Sequence, residues 1–370
     1  MTWRPDAPYN ELPDLPPRHE IETRAVLKSA IEARAALASL DQAARRITNP
    51  TVLINAIPLL EAQASSEIEN IVTTADDLFR FAQDESAASN PATKETLNYR
   101  AALFEGVALI TERPISTTTA TQVCTIIQGR EMDVRGLSGT YIGNPSTRAA
   151  IYTPPVGEQL LRDKLSNWQE FVHRSGGLDP LVRMAVAHYQ FEAIHPFEDG
   201  NGRTGRIMNI LMLIDAGLIA QPILYLSRYI IEKKDEYYRL LLEVTRDSNW
   251  EEWVLFILDG VRTTALSTVA KIDQIQTLQD ETLVTIRSAT SAANADLLAV
   301  LFEQPYCRIS NVIERCQVSR PTATNWLNAL VAAGVLVDIR AGRERLFINT
   351  RFFDLLIRPE TAPQPEPMLF

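Results

Sequence analysis

The chain is poor in the residues that hold metals and disulfides. Among its 370 residues are three cysteines and four histidines. Cys124, Cys307 and Cys316 are odd in number and have no metal-ligand spacing, which excludes a disulfide scaffold and points to a reducing, cytoplasmic setting. No second histidine stands at the H-E-x-x-H spacing of a zinc hydrolase. Basic residues are also scarce: 36 lysines and arginines face 46 acids, for a net charge of -10. That balance argues against general attraction to nucleic acid or anionic membrane, so any basic site must be local. The opening MTWRPDAPYNELPDLPP has prolines and acids where an export signal would need a basic end and an apolar run. Long apolar runs are missing as well. The most membrane-like stretch, Ile207 to Leu226, contains Asn209, Asp215, Gly217, Gln221 and Pro222 and reads better as a buried helix ending near Gly217. No membrane contact is expected. With 46% hydrophobic and 22% charged residues, the chain can build a sizeable core in two or three domains.

What is present is concentrated in twelve residues, HPFEDGNGRTGR, from His195 to Arg206. Glycines that expose backbone N–H groups just before a helix start make an anion-binding concavity, and arginines add charge-assisted donors for phosphate oxygens. Arg203 and Arg206 are three apart, so on a helix beginning near Gly202 they share one face. Asp199 lies just outside that helix, where a hard carboxylate can hold Mg2+ against phosphates. His195 has a near-neutral pKa suited to taking a proton from a hydroxyl. Gly200, Gly202 and Gly205 also satisfy the dinucleotide pattern G-x-G-x-x-G, but the preceding segment opens with the helix-starting pair Asp179-Pro180 and runs helically, so no βαβ unit precedes them. The Walker pattern fails because no Gly-Lys-Ser/Thr follows. The plain alternative is a glycine-rich turn bearing a solvated arginine face.

The segment resembles the signature of the Fic family, H-x-F-x-D/E-G-N-G-R-x-x-R, and matches it at every position. Resemblance implies a protein adenylyltransferase that moves AMP from ATP, with Mg2+, to Ser, Thr or Tyr hydroxyls of target proteins and of itself. It makes His195 the base, Phe197 the buried anchor of the loop and Asp199 the metal ligand. Gly200, Asn201 and Gly202 would cradle the α- and β-phosphates, Arg203 would hold the β-phosphate side and Arg206 the γ-phosphate, with Thr204 and Gly205 counted in the nucleotide-binding turn. A second segment fits the same family. Ser65-Ser66-Glu67-Ile68-Glu69-Asn70 matches the inhibitory helix motif S/T-x-x-x-E-G/N, and Ser65 and Glu69, four apart, share a helical face. By resemblance the Glu69 carboxylate pairs with Arg206 and displaces the γ-phosphate. Alone, six such residues are as well explained by a solvated helix. The arrangement is similar to that of the bacterial SoFic-type proteins, whose brake lies in an N-terminal helix, and a homodimer is implied by the same resemblance.

The rest of the chain reads as mainly α. A proline-rich arm covers residues 1 to about 18, helical periodicity runs from Ile21 to Arg46, and Asn49-Pro50 and Pro58 are expected to interrupt the next segment. Helices are expected over Lys94 to Ile110 and from Pro114 to near Gly129. Between Gly136 and Pro155 glycine, asparagine, proline and β-formers suggest a short hairpin. In Fic proteins a hairpin flap holds the target by strand addition, which places the flap at Ser146 to Pro155; an ordinary surface hairpin fits the local residues equally well. The pair Tyr237-Tyr238 could face adenine, and the resemblance favours Tyr238.

Beyond Asp296 the order is helix, helix, helix, hairpin, a winged-helix-like domain with Ser319 to Ala332 as its recognition helix. Residues 305–351 hold seven arginines and three acids, which permits DNA contact, although winged helices also serve as docking modules. The expected domains are an N-terminal helical region over 1–95 with the motif at 65–70, a Fic core over 96–265, a helical connector over 266–292 and the winged-helix-like domain over 293–370. Three functions are open: an autoinhibited adenylyltransferase, a DNA-binding regulator that uses the site as a nucleotide sensor, or a bifunctional enzyme in which Glu69 positions a water for AMP removal. His195 beside a phosphate cradle favours chemistry over sensing.

Overall fold

The computed structural model describes residues 3–47, 51–82, 88, 90–137, 139–143, 147, 149–174, 177–290, 295–341 and 344–358. Residues 3–23 form an N-terminal arm without helix or strand. It buries Leu12 and Leu15 and is tied down where the Leu15 N–H donates to Asn167 Oδ1 at 2.8 Å. α1 (Arg24–Arg46) starts at Thr23, whose hydroxyl caps the Val26 N–H. Its buried Val26, Ala30, Ala33, Leu37 and Leu40 recur at helical spacing and form one apolar stripe. The alanines let that stripe lie close along α11 (Trp250–Ala289).

α2 (Thr51–Ile68) contains Pro58 in its interior, so the interruption expected there does not occur, while Asn49-Pro50 lies outside the described residues. A proline there forfeits one backbone hydrogen bond. Ala56, Ile57, Leu59 and Leu60 around it are all buried, and that packing holds the helix together. α3 (Ala75–Phe81), α4 (Pro91–Glu112) and α5 (Thr117–Gln128) come next. Asn90 caps α4, the Ser116–Thr119 capping box starts α5, and Gly129 in the left-handed region ends it. β1 (Ile142–Gly143) pairs antiparallel with β2 (Ala150–Tyr152), Ile142 opposite Tyr152. Of the flap placed at Ser146 to Pro155, residues 146 and 148 lie outside the described residues.

α6 (Glu158–His173) packs on α7 (Pro180–Ile194), and α7 on α8 (Asn201–Asp215). These last two are buried almost all round, as helices at the centre of a domain must be. α4 and α5 cover α8, and α11 covers α7. α9 (Leu226–Glu232) and α10 (Lys234–Asp247) lead into α11. α11 is long and apolar enough to cross a membrane by length and composition, yet most of its apolar residues, among them Trp253, Ile257, Val261, Ile272 and Ile275, are buried against neighbouring helices such as α1, α7 and α9. It also runs unbroken through residue 265, and α4 through residue 95, so neither expected domain edge is marked by a loop.

The C-terminal part comprises α12 (Ala295–Glu303), β3 (Tyr306–Arg308), α13 (Ile309–Cys316), α14 (Arg320–Ala332), β4 (Val337–Ala341), β5 (Glu344–Ile348) and α15 (Thr350–Ile357). The sheet order is β3-β5-β4, all antiparallel, with Cys307 opposite Phe347 and Ile339 opposite Leu346. This block is not a free appendage. Asn55 Nδ2 of α2 donates to the Glu303 carbonyl at 3.2 Å, Phe79 of α3 meets Phe353 of α15 edge-on at 6.0 Å, and the Tyr306 hydroxyl donates to Asp76.

Candidate active site

The loop joining α7 to α8 carries the chemistry, and two backbone turns set its shape. α7 ends at His195 in the left-handed region, φ 51°, and Gly200 enters α8 with φ 79°. The turn needs glycine for its conformation, and a β-carbon there would also push on the end of the Gln128 side chain, 2.7 Å away at Nε2. A histidine in that region costs energy and persists only where its surroundings hold it. Arg135, almost wholly buried, does so: its Nε–H donates to the His195 carbonyl at 2.8 Å and its Nη2–H to the Pro155 carbonyl at 2.6 Å. It thereby ties the loop to the base of the hairpin. The Tyr152 hydroxyl adds a bond to the Ala193 carbonyl at 2.8 Å.

Inside the loop Asn201 acts as a staple. The Phe197 N–H donates to Asn201 Oδ1 at 2.8 Å, and Asn201 Nδ2–H donates to the Phe197 carbonyl at 2.9 Å. Phe197 itself is fully buried and packs at 6.2 Å from Phe191, the anchor the resemblance implies. Asn201→Ala would leave both backbone groups of a buried residue unpaired, so urea denaturation should show a loss of about 1–3 kcal/mol. An unchanged midpoint would mean that the loop is held elsewhere.

Four residues after the Ser65 backbone, the chain reaches over this loop. α2 ends at Ile68 and Asn70 turns left-handed, φ 63°, which presents the Glu69 carboxylate to α8. Arg206 receives it: Nη2–H donates to Glu69 Oε1 at 2.8 Å and to the Ser65 carbonyl at 2.9 Å, and Nε–H donates to Ser65 Oγ at 2.7 Å. Glu69 Oε1 would lie 2.5 Å from a β-carbon on Gly202, so the carboxylate rests on the first turn of α8, against the positive end of the helix. Arg203 is buried and divides between two carboxylates, with Nη1 2.6 Å from Glu95 Oε1 and Nε 3.8 Å from Glu69 Oε2. Burial disfavours charge on Arg206, but the Glu69 carboxylate, joined by Tyr237, Glu192 and Tyr99, outweighs it and raises the guanidinium pKa.

His195 is driven the other way. Burial first, and the Arg135 guanidinium second, lower its pKa to about 4, so the ring is neutral at pH 7 and able to accept a proton. One turn earlier, burial pushes Glu192 up to about 7. Behind the Ser65 contact, Glu61 is enclosed and accepts from the Ser227 N–H at 2.9 Å and the Tyr99 hydroxyl at 3.1 Å; burial raises its pKa. Tyr99 in turn bonds the Ser65 side chain.

Asp199 lies exposed at the mouth of the loop, its Oδ1 accepting from the Gly200 N–H at 2.7 Å. No group of three or more His, Cys, Asp or Glu side chains among the described residues could hold a metal unaided. Thr204 is buried, its hydroxyl against the Cys124 thiol, and Gly205 faces Phe191 and Glu192; both serve packing of the helix start. Tyr238 is 43% exposed while Tyr237 is buried with its hydroxyl 2.9 Å from His188 Nε2, so Tyr238 is the accessible ring of the pair. Asn70 stands beside Lys234, 3.4 Å from its Nζ. The polar supports Glu61, Glu95, Arg135 and Glu192 are absent from any motif.

Comparison with known proteins bears on this geometry. Residues 27–108 match the Fic/DOC family N-terminal model, residues 118–213 the Fic/DOC family model, and residues 278–352 the C-terminal domain model of SoFic-like protein adenylyltransferases. The chain belongs to the Fic/DOC family. Protein adenylyltransferase fic-1 of Caenorhabditis elegans is 34% identical over 89 residues, 24% of this chain and 16% of that protein. Protein adenylyltransferase Fic of Drosophila melanogaster is 33% identical over 100 residues, 27% of this chain and 19% of that one. The chain thus aligns with less than a fifth of the length of these curated relatives. In fold, a Fic family protein from Desulfovibrio desulfuricans G20 superposes with a TM-score of 0.54 at 19% identity, covering 90% of this chain and 98% of its own. Fic-1 (aa134–508) of C. elegans gives 0.50 at 18% identity, over 68% and 73%. The mainly helical Fic fold is therefore shared.

Proposed function

We propose that the protein transfers adenylate from ATP to hydroxyl side chains of target proteins, and to its own, under restraint by Glu69. One observation carries the reading: a carboxylate already lies on the α8 start, gripped by Arg206, in the place a phosphate group would take. A site built for an anion is held by an internal one. With ATP there, Arg206 and Arg203 would bind the outer phosphates and the α8 N–H groups the inner ones. His195, neutral, takes the proton of the incoming hydroxyl; its oxygen bonds the α-phosphorus as pyrophosphate leaves. Asp199 suits Mg2+, which keeps several waters and needs few protein carboxylates when phosphates complete its shell. Bound there, the ion would neutralise charge on the leaving pyrophosphate.

Incubation with α-labelled ATP and Mg2+, with mass analysis of the chain afterwards, tests this. An added adenylate is expected; none, even after Glu69→Gly, rejects the transferase. The winged-helix-like C-terminal part is read as a docking module. Of its seven arginines, Arg315, Arg345 and Arg351 pair with Glu303, Asp338 and Glu281, so much of the basicity that DNA contact would use is neutralised within the chain.

A further inference from the structure

Glu192 takes no part in the transfer assigned to His195, Arg203 and Arg206, yet it stands in their midst. It lies in the last turn of α7, three residues before His195. Its Oε1 is enclosed and finds no hydrogen-bond partner among the described residues. The same oxygen would lie 2.4 Å from a β-carbon on Gly205, so the bare backbone of α8 makes its room, immediately beside Arg206. The groups that face it are Arg206 from α8, Glu69 from the end of α2, and Tyr237 and Tyr238 from α10; the His195 ring lies beside its backbone carbonyl. An acid in a place meant for anions is a contradiction unless it is uncharged when the anion binds. A buried carboxylate without donors sheds its charge by taking a proton, and the resulting O–H is a donor.

We propose that Glu192 is a proton-controlled gate on the polyphosphate place: as a neutral acid it donates to a phosphate oxygen beside Arg206, and as a carboxylate it repels that phosphate. The inference rests on the reading that the place takes ATP. Burial already brings the free acid to about 7, so the gate works across neutral pH. A bound polyphosphate stabilises the protonated form and raises the pKa further. Affinity is then full below the pKa of the free protein and falls as pH rises through it.

The test uses the full chain with Glu69→Gly, which clears the competing carboxylate. ATP is titrated by calorimetry from about pH 6 to about pH 8.5, with and without Glu192→Gln and, separately, Glu192→Ala. Ionisation of ATP itself is common to all three and cancels in their ratios. ATP affinity is expected to fall about ten-fold more over this range in the chain that keeps Glu192, the effect of one like charge on a neighbour. Identical pH dependence in all three overturns the gate while leaving ATP binding intact. Absence of ATP binding in any of them at any pH overturns instead the reading beneath it. Should the Glu192 variants fail to fold, proton uptake on ATP binding near pH 8, where the phosphates of free ATP are already ionised, is the expected sign in the Glu69→Gly chain; no uptake overturns it.

Discussion

Glu69→Gly should raise the initial rate of self-labelling by roughly ten- to a hundred-fold, the equivalent of a charge-assisted hydrogen bond of about 1.5–3 kcal/mol withdrawn from competition with the phosphate. The direction comes from the contacts of Arg206. In the resting protein the guanidinium donates to Glu69 and twice to Ser65, and any phosphate must first displace the carboxylate. Glycine removes that competitor and leaves the Ser65 bonds in place to hold Arg206 ready. The same change has a cost in stability, because it strips a buried cation of its counter-charge. Glu69 is partly exposed, so water can reach the vacated place and the loss should be modest, about 1–2 kcal/mol. ATP should also raise the melting temperature of Glu69→Gly more than that of the unaltered chain, since a ligand that binds more tightly stabilises more. Equal or lower labelling by a folded variant would mean that Glu69 is no brake.

How much of this is legible in the sequence depends on distance along the chain. The loop is legible because its parts are local: Asp179 caps α7, Gly200 turns into α8, and Asn201 closes back on Phe197, all within about two dozen residues. The helical periodicity of α1 and the left-handed glycine ending α5 are legible for the same reason. The brake is not, by physics alone. Ser65 and Arg206 are 141 residues apart, and only a family resemblance joins them. Glu61, Glu95, Arg135 and Glu192 are invisible, each a single polar residue in an otherwise ordinary segment whose burial is decided by tertiary packing. Pro58 misleads because the local penalty of a helix proline carries no sign of the buried neighbours that offset it. In the C-terminal part β3 is hidden because three residues, Tyr306–Arg308, are too few to show alternation.

His195→Ala is the sharper test of the chemistry. Placed in the Glu69→Gly chain, where activity is measurable, it should lower adenylate transfer by about 100- to 10,000-fold, the range a positioned general base contributes. ATP affinity should stay within a few-fold, because the phosphate contacts come from Arg203, Arg206 and the α8 backbone and none of them passes through the imidazole. The ring is neutral well below ordinary histidine pH: burial and Arg135 hold its pKa at about 4. The free protein therefore keeps a competent base down to mildly acid solution, and the acid limb of kcat/KM should fall close to that value rather than at the roughly 6.5 of a free histidine. Arg135→Met would move that limb upward, since it removes a positive neighbour, and would loosen the left-handed turn that aims the ring. An acid limb left at the position of a free histidine would mean that burial and Arg135 do not depress the His195 pKa, and undiminished labelling by His195→Ala would mean that another group takes the proton and that the turn at His195 serves only to start the loop.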